Sequence, residues 1–495
     1  MTDVLETINS WVWSPALVYL CLAAGLYFTI RTRVVQLRAV GDMVRLMFHP
    51  GKSDAGVSSF QALSMSLAGR VGTGNIAGVA TAIAFGGPGA VFWMWMVAFL
   101  GASTSFVEST LGQMFKEKDH QGHYRGGPAY YIEKCMGQRW YALLFAAVTV
   151  VATGVLLPGI QANGIAASMN TAWGLPEWSV AIAVVIALSF IVVGGVKRIA
   201  AFAGVVVPFM AVVYIGLALV VVLVNASAIP DVLRLILSSA WGLDAGFGAV
   251  VGLAIEWGVK RGIYSNEAGQ GTGPHAAAAA EVSHPAKQGL VQAFSVYIDT
   301  LFVCSATAFL ILSTGMYKVW GGGGSDGEVL HDGFAGAQVE AGPAFAQAAF
   351  DTLWSGAGAS FIAISLTFFA FTTVVAYYYM AETNINYLLR DVSRPGVLPV
   401  ATRFLQLFFL VAVAYGAVST AGVAWTLGDI GVGVMAWLNI IAIFILQKPA
   451  LLALRDYERQ KRAGLDPQFD PVALGIRNAT FWERRAEERT RDRVI

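Results

Sequence analysis

Long apolar runs without a charged residue recur along the chain, and they predict helices that cross a membrane. Residues 14–30 form the first run, and about 20 apolar residues are enough to span a bilayer core. As one helix, the uncharged run 71–107 would extend about 55 Å, far beyond the ~30 Å of that core. It must therefore fold back, and Gly86-Gly87-Pro88-Gly89 supplies suitable turn residues.

The same criterion, applied to the whole chain, predicts an all-α integral membrane protein with eleven transmembrane helices. Residues from Lys448 onward are rich in charge and predict a tail outside the membrane, with an amphipathic surface helix and a flexible end. The predicted spans are 14–30, 57–85, 89–115, 140–168, 178–196, 199–224, 243–274, 287–315, 355–389, 402–418 and 424–446.

Composition supports a membrane protein. Of 495 residues, 13% are charged and 56% are hydrophobic, and the mean hydropathy is +0.63, whereas soluble domains carry about 25% charged residues. A net charge of +1 and the lack of a basic stripe argue against nucleic-acid binding. Three widely spaced cysteines indicate neither a disulfide framework nor a zinc site. Asp3 and Glu6 argue against a cleavable signal peptide.

Lys and Arg residues concentrate in the loops on one side of the predicted spans, and only Arg234 and Lys318 fall in the opposite loops. Because loops rich in Lys and Arg stay in the cytoplasm, we expect the N-terminus outside and the tail in the cytoplasm. The membrane is expected to be the inner membrane of the cell. The longest outer loop, 316–354, contains a glycine run at 321–324 that is typical of a flexible linker. An outer lid is the alternative.

Two predicted spans are interrupted by closely spaced glycines, near 69–75 and near 258–273. Each glycine costs a helix interior about 1 kcal/mol relative to alanine, so both segments predict local unwinding. A membrane tolerates unwound backbone only where it is buried or lines a cavity. Glycines that merely allow close helix packing are the alternative, but their usual spacing is wider. No nucleotide-binding motif accompanies these glycines, which argues against an ATP-driven pump.

The two interruptions lie five spans apart, so the second unit is inverted relative to the first. We expect an extra helix in 1–31, a first five-helix repeat in 32–225, its inverted counterpart in 226–447 and a tail in 448–495. Inverted repeats that open with broken helices are typical of secondary transporters. Freed N–H groups bind a carboxylate and freed carbonyls bind a cation or an ammonium, which suits a zwitterion such as an amino acid.

Several motifs resemble those of one transporter family, the alanine/glycine:cation symporters. The resemblance covers nearly the whole chain and implies a LeuT-like fold, a 5+5 inverted repeat preceded by one extra N-terminal helix. It also implies uptake of alanine, and often glycine, driven by sodium. The motifs are SFQAL (59–63), GTGNIAGVA (72–80), GGPGAVFWMW (86–95), GGP (126–128), QAN (161–163), SNEAG (265–269), FDP (469–471) and FW (481–482).

The resemblance further implies a sodium site between the second and ninth spans. It assigns to sodium the carbonyls of Ala68, Val71 and Phe369 and the hydroxyls of Thr372 and Thr373. Sodium is a hard cation, and such ions prefer oxygen ligands. The alternative is that both hydroxyls only hydrogen-bond to their own helix.

The substrate carboxylate is expected at the backbone amides of the first interruption. Polar residues on the fourth and seventh spans are further candidates, with hydrogen bonding inside the core as the alternative. Phe369 and Trp257 are expected to close a pocket that admits only a small side chain. The residues expected to bind substrate are Gly72, Thr73, Gly74, Asn75, Gln161, Asn163, Asn266, Gln270 and Phe369.

Ionisable residues inside predicted spans are expected to serve function. Arg70 is expected to pair with Glu256, Glu267 or Asp299, and its charge is hypothesised to oppose a second cation. For Lys260 and Arg261 two interpretations stay open: gating ion pairs in the cytoplasmic mouth, or a structural role. The residues expected in gating or charge pairing are Arg70, Glu108, Glu256, Lys260, Arg261, Glu267 and Asp299.

Other functions fit the sequence less well. A channel usually builds selectivity from repeated rings, which are absent from the sequence. A metalloenzyme site at His275 and His284 lacks the helical spacing of a metal pair. A receptor would need a larger signalling domain than the tail provides. Proton coupling stays open, because several carboxylates, among them Glu108, lie within predicted spans. No cofactor other than the coupling ion is expected.

Overall fold

The computed structural model describes residues 2–48, 55–192, 195–244, 246–392, 394 and 396–492, and these are mostly helical. Parts of the predicted spans at 193–194 and 245 lie outside the described residues. Helices of the first half are α1 (Thr2–Val12), α2 (Pro15–Arg31), α3 (Val35–Arg38), α4 (Val40–Met47), α5 (Ser59–Arg70), α6 (Val79–Gly86), α7 (Gly89–Met114), α8 (Pro128–Tyr131), α9 (Arg139–Val151), α10 (Leu157–Trp173), α11 (Glu177–Val192) and α12 (Gly195–Val224).

The second half continues the helical pattern, and two short antiparallel hairpins lie in the connections. Strand β1 (Glu117–Lys118) pairs with β2 (Tyr124–Arg125), and β3 (Lys318–Trp320) pairs with β4 (Val329–Asp332). The remaining helices are α13 (Ile229–Ala240), α14 (Val251–Asn266), α15 (Gly273–Ala279), α16 (Pro285–Val296), α17 (Ser305–Thr314), α18 (Pro343–Asp351), α19 (Gly358–Leu389), α20 (Val397–Val418), α21 (Ala421–Arg462) and α22 (Thr480–Asp492).

Eight helices among the described residues are long and apolar enough to cross a membrane. Shorter apolar helices cover Gly74–Gly86 and Glu177–Val192. Wide-turn π segments extend some helices, at Gly74–Gly78 before α6, at Ala152–Leu156 between α9 and α10, and at Tyr297–Cys304 between α16 and α17. The protein is therefore a helical membrane protein with several spans.

Burial separates helices at the centre of the bundle from those at its rim. Helix α7 is buried over most of its second half and packs against α14 and α16. Helix α12 instead exposes Val205, Phe209 and Val212, as expected for side chains that face lipid. Helix α10 packs against α19 and α20. Helices α7 and α10 thus lie at the centre of the bundle, and each contacts several other helices.

Local sequence explains where the first interrupted helix begins. The Ser58 side chain accepts the Gln61 N–H at 3.2 Å, and the Gln61 side chain accepts the Ser58 N–H at 3.1 Å. This reciprocal capping box satisfies N–H groups that a helix start otherwise leaves unpaired. At the far end, α6 stops at Gly87, whose φ of +70° is readily adopted only by glycine, so the chain turns back into α7 as predicted.

Two expectations about the connections are wrong. The glycine run 321–324 is not a flexible linker, because it joins β3 to β4 and the Gly321 N–H donates to the Glu328 carbonyl at 2.7 Å. The tail is not a separate surface segment, because α21 continues past Lys448 to Arg462. In the following helix Trp482 is fully buried and donates to the Gln113 carbonyl at 3.1 Å.

Candidate functional site

The first interruption lies between α5 and the π segment that precedes α6. Val71 is extended, with φ −79° and ψ 90°. The Gly72 N–H donates to Asn75 Oδ1 at 2.8 Å, and the Thr73 N–H donates to Gln161 Oε1 at 2.9 Å. Unwinding is therefore confirmed. The two amides expected to meet a substrate carboxylate are occupied by amide oxygens of the protein, which a carboxylate would have to displace.

The second interruption spans 267–272, between α14 and α15. Glu267 ends α14 with φ +56°, and Gly269 and Gly271 also have positive φ. Glu108 accepts hydrogen bonds from the N–H groups of Gly269 and Gly271, both at 3.1 Å, and from Asn439 Nδ2 at 2.7 Å. Glu108 thus holds the unwound segment in place instead of forming a gating ion pair.

Glycines 258 and 262 do not take part in this break, contrary to the expected start of the interruption at 258. Both lie within the regular helix α14. A Cβ at Gly258 would lie 2.6 Å from the Ala90 carbonyl oxygen of α7, so this glycine allows close contact between two helices. Close packing, the alternative interpretation of the glycines, is therefore correct for this part of the span.

Two side chains bridge the interruptions. Gln161 on α10 accepts from Thr73 and donates through Nε2 to the Tyr264 hydroxyl at 3.0 Å. Asp299 accepts from Asn75 Nδ2 at 2.7 Å and from Ser265 Oγ at 2.9 Å. The two broken helices are therefore tied together by buried polar groups, as expected for a site built at their meeting point.

Some of the residues expected to bind sodium are in contact with each other. Thr373 Oγ1 on α19 lies 3.3 Å from the Val71 carbonyl oxygen and 3.0 Å from that of Phe369. Thr372 Oγ1 donates to the Phe369 carbonyl at 2.9 Å. Ala68 lies in the last turn of α5, just before Val71. The end of α5 and the middle of α19 thus come together, while both hydroxyls hydrogen-bond to their own helix in this structure.

A cavity of about 510 Å³ reaches the first interruption. It is lined by Thr73, Asn163 and Trp425 together with residues 338–344 of the loop 316–354. Asn163 Nδ2 donates to the Ser419 carbonyl at 2.6 Å. Asn163 therefore faces the cavity and also hydrogen-bonds the end of α20, which is the core hydrogen bond given as the alternative.

The aromatic residues expected to close the pocket lie elsewhere. The Phe369 ring is fully buried and packs edge-on against Tyr214, with centroids 5.2 Å apart. Trp257 packs against Phe85 at 4.9 Å. Neither lines the cavity, where Phe334 and Trp425 provide the aromatic surface. The Trp257 ring also lies beneath the cations of Lys260 and Arg261, so in this structure both predicted pocket walls contact other groups.

Asn266 and Gln270, at the second interruption, are fully buried. Asn266 Oδ1 accepts the Ala268 N–H at 3.0 Å. Asn266 Nδ2 and both polar side-chain atoms of Gln270 have no hydrogen-bond partner among the described residues. Buried polar groups usually find partners, so these amides are available to a ligand.

Arg70 does not form the expected ion pair. Its guanidinium donates to the Gln292 carbonyl at 3.0 Å, to Ser105 Oγ at 3.2 Å and to the Ser295 hydroxyl. Glu256, one of its expected partners, is exposed, because it lies on the outward face of α14. Three polar groups on α7 and α16 thus bond the two terminal nitrogens of Arg70 where a carboxylate was expected, while its Nε has no partner among the described residues.

Lys260 and Arg261, which were expected to form gating ion pairs, both pair with Asp429. Lys260 Nζ lies 2.9 Å from Asp429 Oδ2, and Arg261 bonds both oxygens of Asp429 at 3.0 Å. The neighbouring Phe85 ring contacts Trp320, which belongs to the loop 316–354. The cluster therefore lies on the side of that loop. Because the sequence predicts that this loop lies outside, the cluster lies opposite the cytoplasmic mouth in the predicted orientation.

Sequence reasoning missed Asp429, Tyr264 and Asn439. Asp429 carried a signal, since it is an acidic residue inside the predicted span 424–446. Tyr264 and Asn439 carried none, because their role depends on contacts between distant helices. The two histidines considered as a metal pair have separate partners: His275 on α15 contacts Asn384 through Nε2 at 2.9 Å, and His284 caps the start of α16 and faces Asp456.

Uncharged helices, two unwound segments and a cavity that leads to one of them define a membrane transporter. A family model described as the sodium:alanine symporter family matches residues 1–471. A carrier of Bacillus sp. (strain PS3), named sodium/proton-dependent alanine carrier protein, is 52% identical over 89% of this chain and 97% of its own length. YrbD of Bacillus subtilis (strain 168), provisionally named as the same kind of carrier, is 59% identical over 98% of both chains. The chain belongs to the sodium:alanine symporter family.

A solved structure provides a likeness in fold. The manganese transporter of Eremococcus coleocola aligns with a TM-score of 0.50 at 13% identity, covering 83% of this chain and 92% of its own. At so low an identity the likeness concerns the fold alone.

Proposed function

We propose that this protein is a sodium-coupled symporter that carries small neutral amino acids, alanine and also glycine, into the cytoplasm by alternating access. Family membership and the names of relatives at 52–59% identity support sodium and alanine. The observation that carries the proposal is the contact between Thr373 Oγ1 and the Val71 carbonyl. It brings two oxygens from different helices together beside an unwound segment, which suits a hard cation.

The proposed architecture is the LeuT-like arrangement of eleven spans, with one extra helix before two inverted five-helix repeats. The extra helix covers 1–31, the repeats 32–225 and 226–447, and the tail 448–495. The proposed orientation places the N-terminus outside and the tail in the cytoplasm, because the loops on the tail side hold most of the Lys and Arg. Each repeat then opens with an unwound helix, α5–α6 or α14–α15.

The proposed sodium ligands are the carbonyls of Ala68, Val71 and Phe369 and the hydroxyls of Thr372 and Thr373. The two hydroxyls turn from their own helix toward the ion when it binds. No further metal or organic cofactor is proposed. Since Val71 belongs to the first interruption, sodium there fixes the unwound backbone beside the substrate, which couples the two ligands.

The proposed substrate site is the first interruption, where Gly72, Thr73 and Gly74 offer N–H groups to a carboxylate. A carboxylate replaces the amide oxygens of Asn75 and Gln161, which occupy two of these groups. The ammonium faces the second interruption, where Gln270 Oε1 has no partner among the described residues and can accept an ammonium N–H. Asn266 accepts through Oδ1, which already takes the Ala268 N–H. Crowding around the first break supports a small substrate, glycine included, since a Cβ at Gly164 would lie 2.9 Å from Thr73.

Uptake of labelled alanine into proteoliposomes tests this function. An inward sodium gradient is expected to drive accumulation above the external concentration, and equal sodium on both sides abolishes it. Other small amino acids, glycine first, compete with the label. Absence of sodium-driven accumulation would refute the proposal.

Proton-coupled uptake by the same fold is the second candidate function. Both relatives are named sodium/proton-dependent, and the buried carboxylates Glu108, Glu267 and Asp299 surround the interruptions. An inward proton gradient without sodium distinguishes the two functions, since only proton coupling sustains accumulation under that gradient.

A further inference from the structure

One arginine and three carboxylates are buried where the interrupted helices meet. Arg70, Glu108, Glu267 and Asp299 each expose 1% of their surface or less. Together they hold one positive and three negative formal charges. Burial of charge without compensation is expensive, so this region favours the binding of a further cation.

Two of the three carboxylates are well satisfied by hydrogen bonds. Glu108 accepts two backbone N–H groups and the Asn439 side chain. Asp299 accepts from the side chains of Asn75, Ser265 and Thr300. Such charge-assisted hydrogen bonds stabilise the negatively charged form of a carboxylate. Neither residue therefore needs an added cation to remain buried.

Glu267 differs from both. Its Oε2 accepts a single hydrogen bond, from Thr272 Oγ1 at 2.9 Å, and its Oε1 has no partner among the described residues. The backbone of Glu267 is left-handed, with φ +56°, a conformation that costs a non-glycine residue about 1 kcal/mol or more. A strained backbone thus holds an unpartnered carboxylate oxygen inside the protein.

The surroundings of Glu267 suit a proton better than a metal ion. A Cβ at Gly69 would lie 3.2 Å from Glu267 Oε2, and the Met380 methyl group packs against the same glycine. A hard metal ion needs several oxygen ligands, whereas the described contacts of this carboxylate provide only the Thr272 hydroxyl. A proton needs one oxygen, and Oε1 is available.

The charged and titratable groups that face Glu267 come from four elements. Arg70 ends α5 and Asp299 lies in the π segment after α16. Tyr264 on α14 and Tyr377 on α19 also interact with it. Arg70 directs its hydrogen bonds to other groups, so none of the four neutralises Glu267 by direct pairing.

We propose that Glu267 binds a proton that moves inward with alanine and sodium. The proton bonds to Oε1 when the site faces outside and leaves the same oxygen when it faces the cytoplasm. Because Glu267 ends α14 against Gly69 of α5, its charge changes the contact between the two interrupted helices. This inference rests on the proposed alanine symport and adds a coupling ion to it.

The test records internal pH with a trapped dye in proteoliposomes that hold the full-length protein, with sodium present on both sides. External alanine is expected to acidify the lumen with the wild-type protein. Glu267→Gln removes the titrating group and abolishes this acidification, whereas Glu267→Asp restores part of it. The exposed Glu256→Gln is the matched control and is expected to behave as wild type.

Acidification of equal size with Glu267→Gln would overturn the inference, as would alanine uptake by the wild type without any proton movement. Loss of acidification with Glu108→Gln, together with its persistence in Glu267→Gln, would move the site to Glu108 and equally overturn it. Sodium-driven accumulation of labelled alanine by the wild type is recorded in parallel. Its absence refutes the symport itself, so the two failures are distinguishable.

Discussion

Gln161 on α10 accepts the backbone N–H of Thr73 at 2.9 Å, although the two residues lie far apart in the chain. The same side chain donates to the Tyr264 hydroxyl on α14 at 3.0 Å. One side-chain amide thereby hydrogen-bonds to both interrupted helices. Its oxygen occupies the Thr73 N–H that we propose for the substrate carboxylate, so binding at this position would displace it.

Replacement of Gln161 by leucine is expected to lower the KM for alanine, because the substrate carboxylate no longer has to displace the Gln161 oxygen from the Thr73 N–H. In the substrate-free variant this buried N–H is unpaired at a cost of about 1–3 kcal/mol that substrate binding relieves, which corresponds to roughly 5–150-fold in apparent affinity. Initial rates of labelled alanine uptake measure the effect. Gln447→Leu is the control, because that side chain bonds Tyr27 at 3.0 Å, away from the interruptions. An unchanged KM in Gln161→Leu would contradict the assigned position.

Replacement of Thr373 by valine preserves shape and removes a proposed sodium ligand. The sodium concentration for half-maximal uptake is expected to rise by roughly 10–100-fold, because hydrogen bonds and contacts to charged groups contribute about 1.5–3 kcal/mol. Thr367→Val on the same helix is the control, since its hydroxyl bonds only the Ala363 carbonyl. Equal sodium dependence in both variants would refute the site.

Replacement of Glu108 by glutamine is expected to loosen the second interruption. Two backbone N–H groups lose a charged acceptor, and each such bond contributes about 1.5–3 kcal/mol. Thermal unfolding of the detergent-solubilised protein is expected at a lower Tm. Glu256→Gln, an exposed change, leaves Tm within error. A stable Glu108→Gln protein would mean that Glu108 does not hold the break.

Replacement of Asp429 by asparagine leaves Lys260 and Arg261 buried without their shared carboxylate. Removal of one partner from a buried pair costs about 3–5 kcal/mol. Tm therefore falls, and the double variant with Lys260→Met recovers part of the loss because it removes one unpaired charge. No recovery in the double variant would indicate that Asp429 stabilises the protein by other contacts.

Acid is expected to weaken the packing of the tail through His284. Burial lowers the pKa of this imidazole, although the nearby Asp456 carboxylate opposes the shift. The unfolded chain therefore binds the proton more readily, and the stability from neutral His284 is lost as pH falls below about 6.5. Tm measured from neutral to acidic pH is expected to fall less steeply in His284→Gln. An equal slope would exclude His284 as the cause.

Much of the fold could be predicted from local signals. Uncharged runs and glycine density identified the helices and both interruptions, because the bilayer penalises charge and glycine weakens a helix. The glycines at 258 and 262 led to a wrong start for the second interruption, because glycine occurs both where helices pack closely and where a helix unwinds. Only their neighbours in space distinguish the two uses.

The candidate site could be predicted only in part. The likeness to a family indicated that Val71 and Thr373 would meet, and the helices bring them together. The roles of Glu108 and Asp429 follow from contacts with helices far away in the chain, which no local pattern encodes. Arg70 was expected to pair with a carboxylate, but its two terminal nitrogens bond hydroxyl and carbonyl groups of α7 and α16.

Movement of sodium with alanine tests the central claim most directly. Proteoliposomes with the wild-type protein receive labelled sodium outside, with or without unlabelled alanine, and labelled sodium inside is counted. An inward flux of sodium that depends on alanine, and that Thr373→Val reduces, is the expected result. Alanine uptake that leaves the sodium flux unchanged would contradict the account.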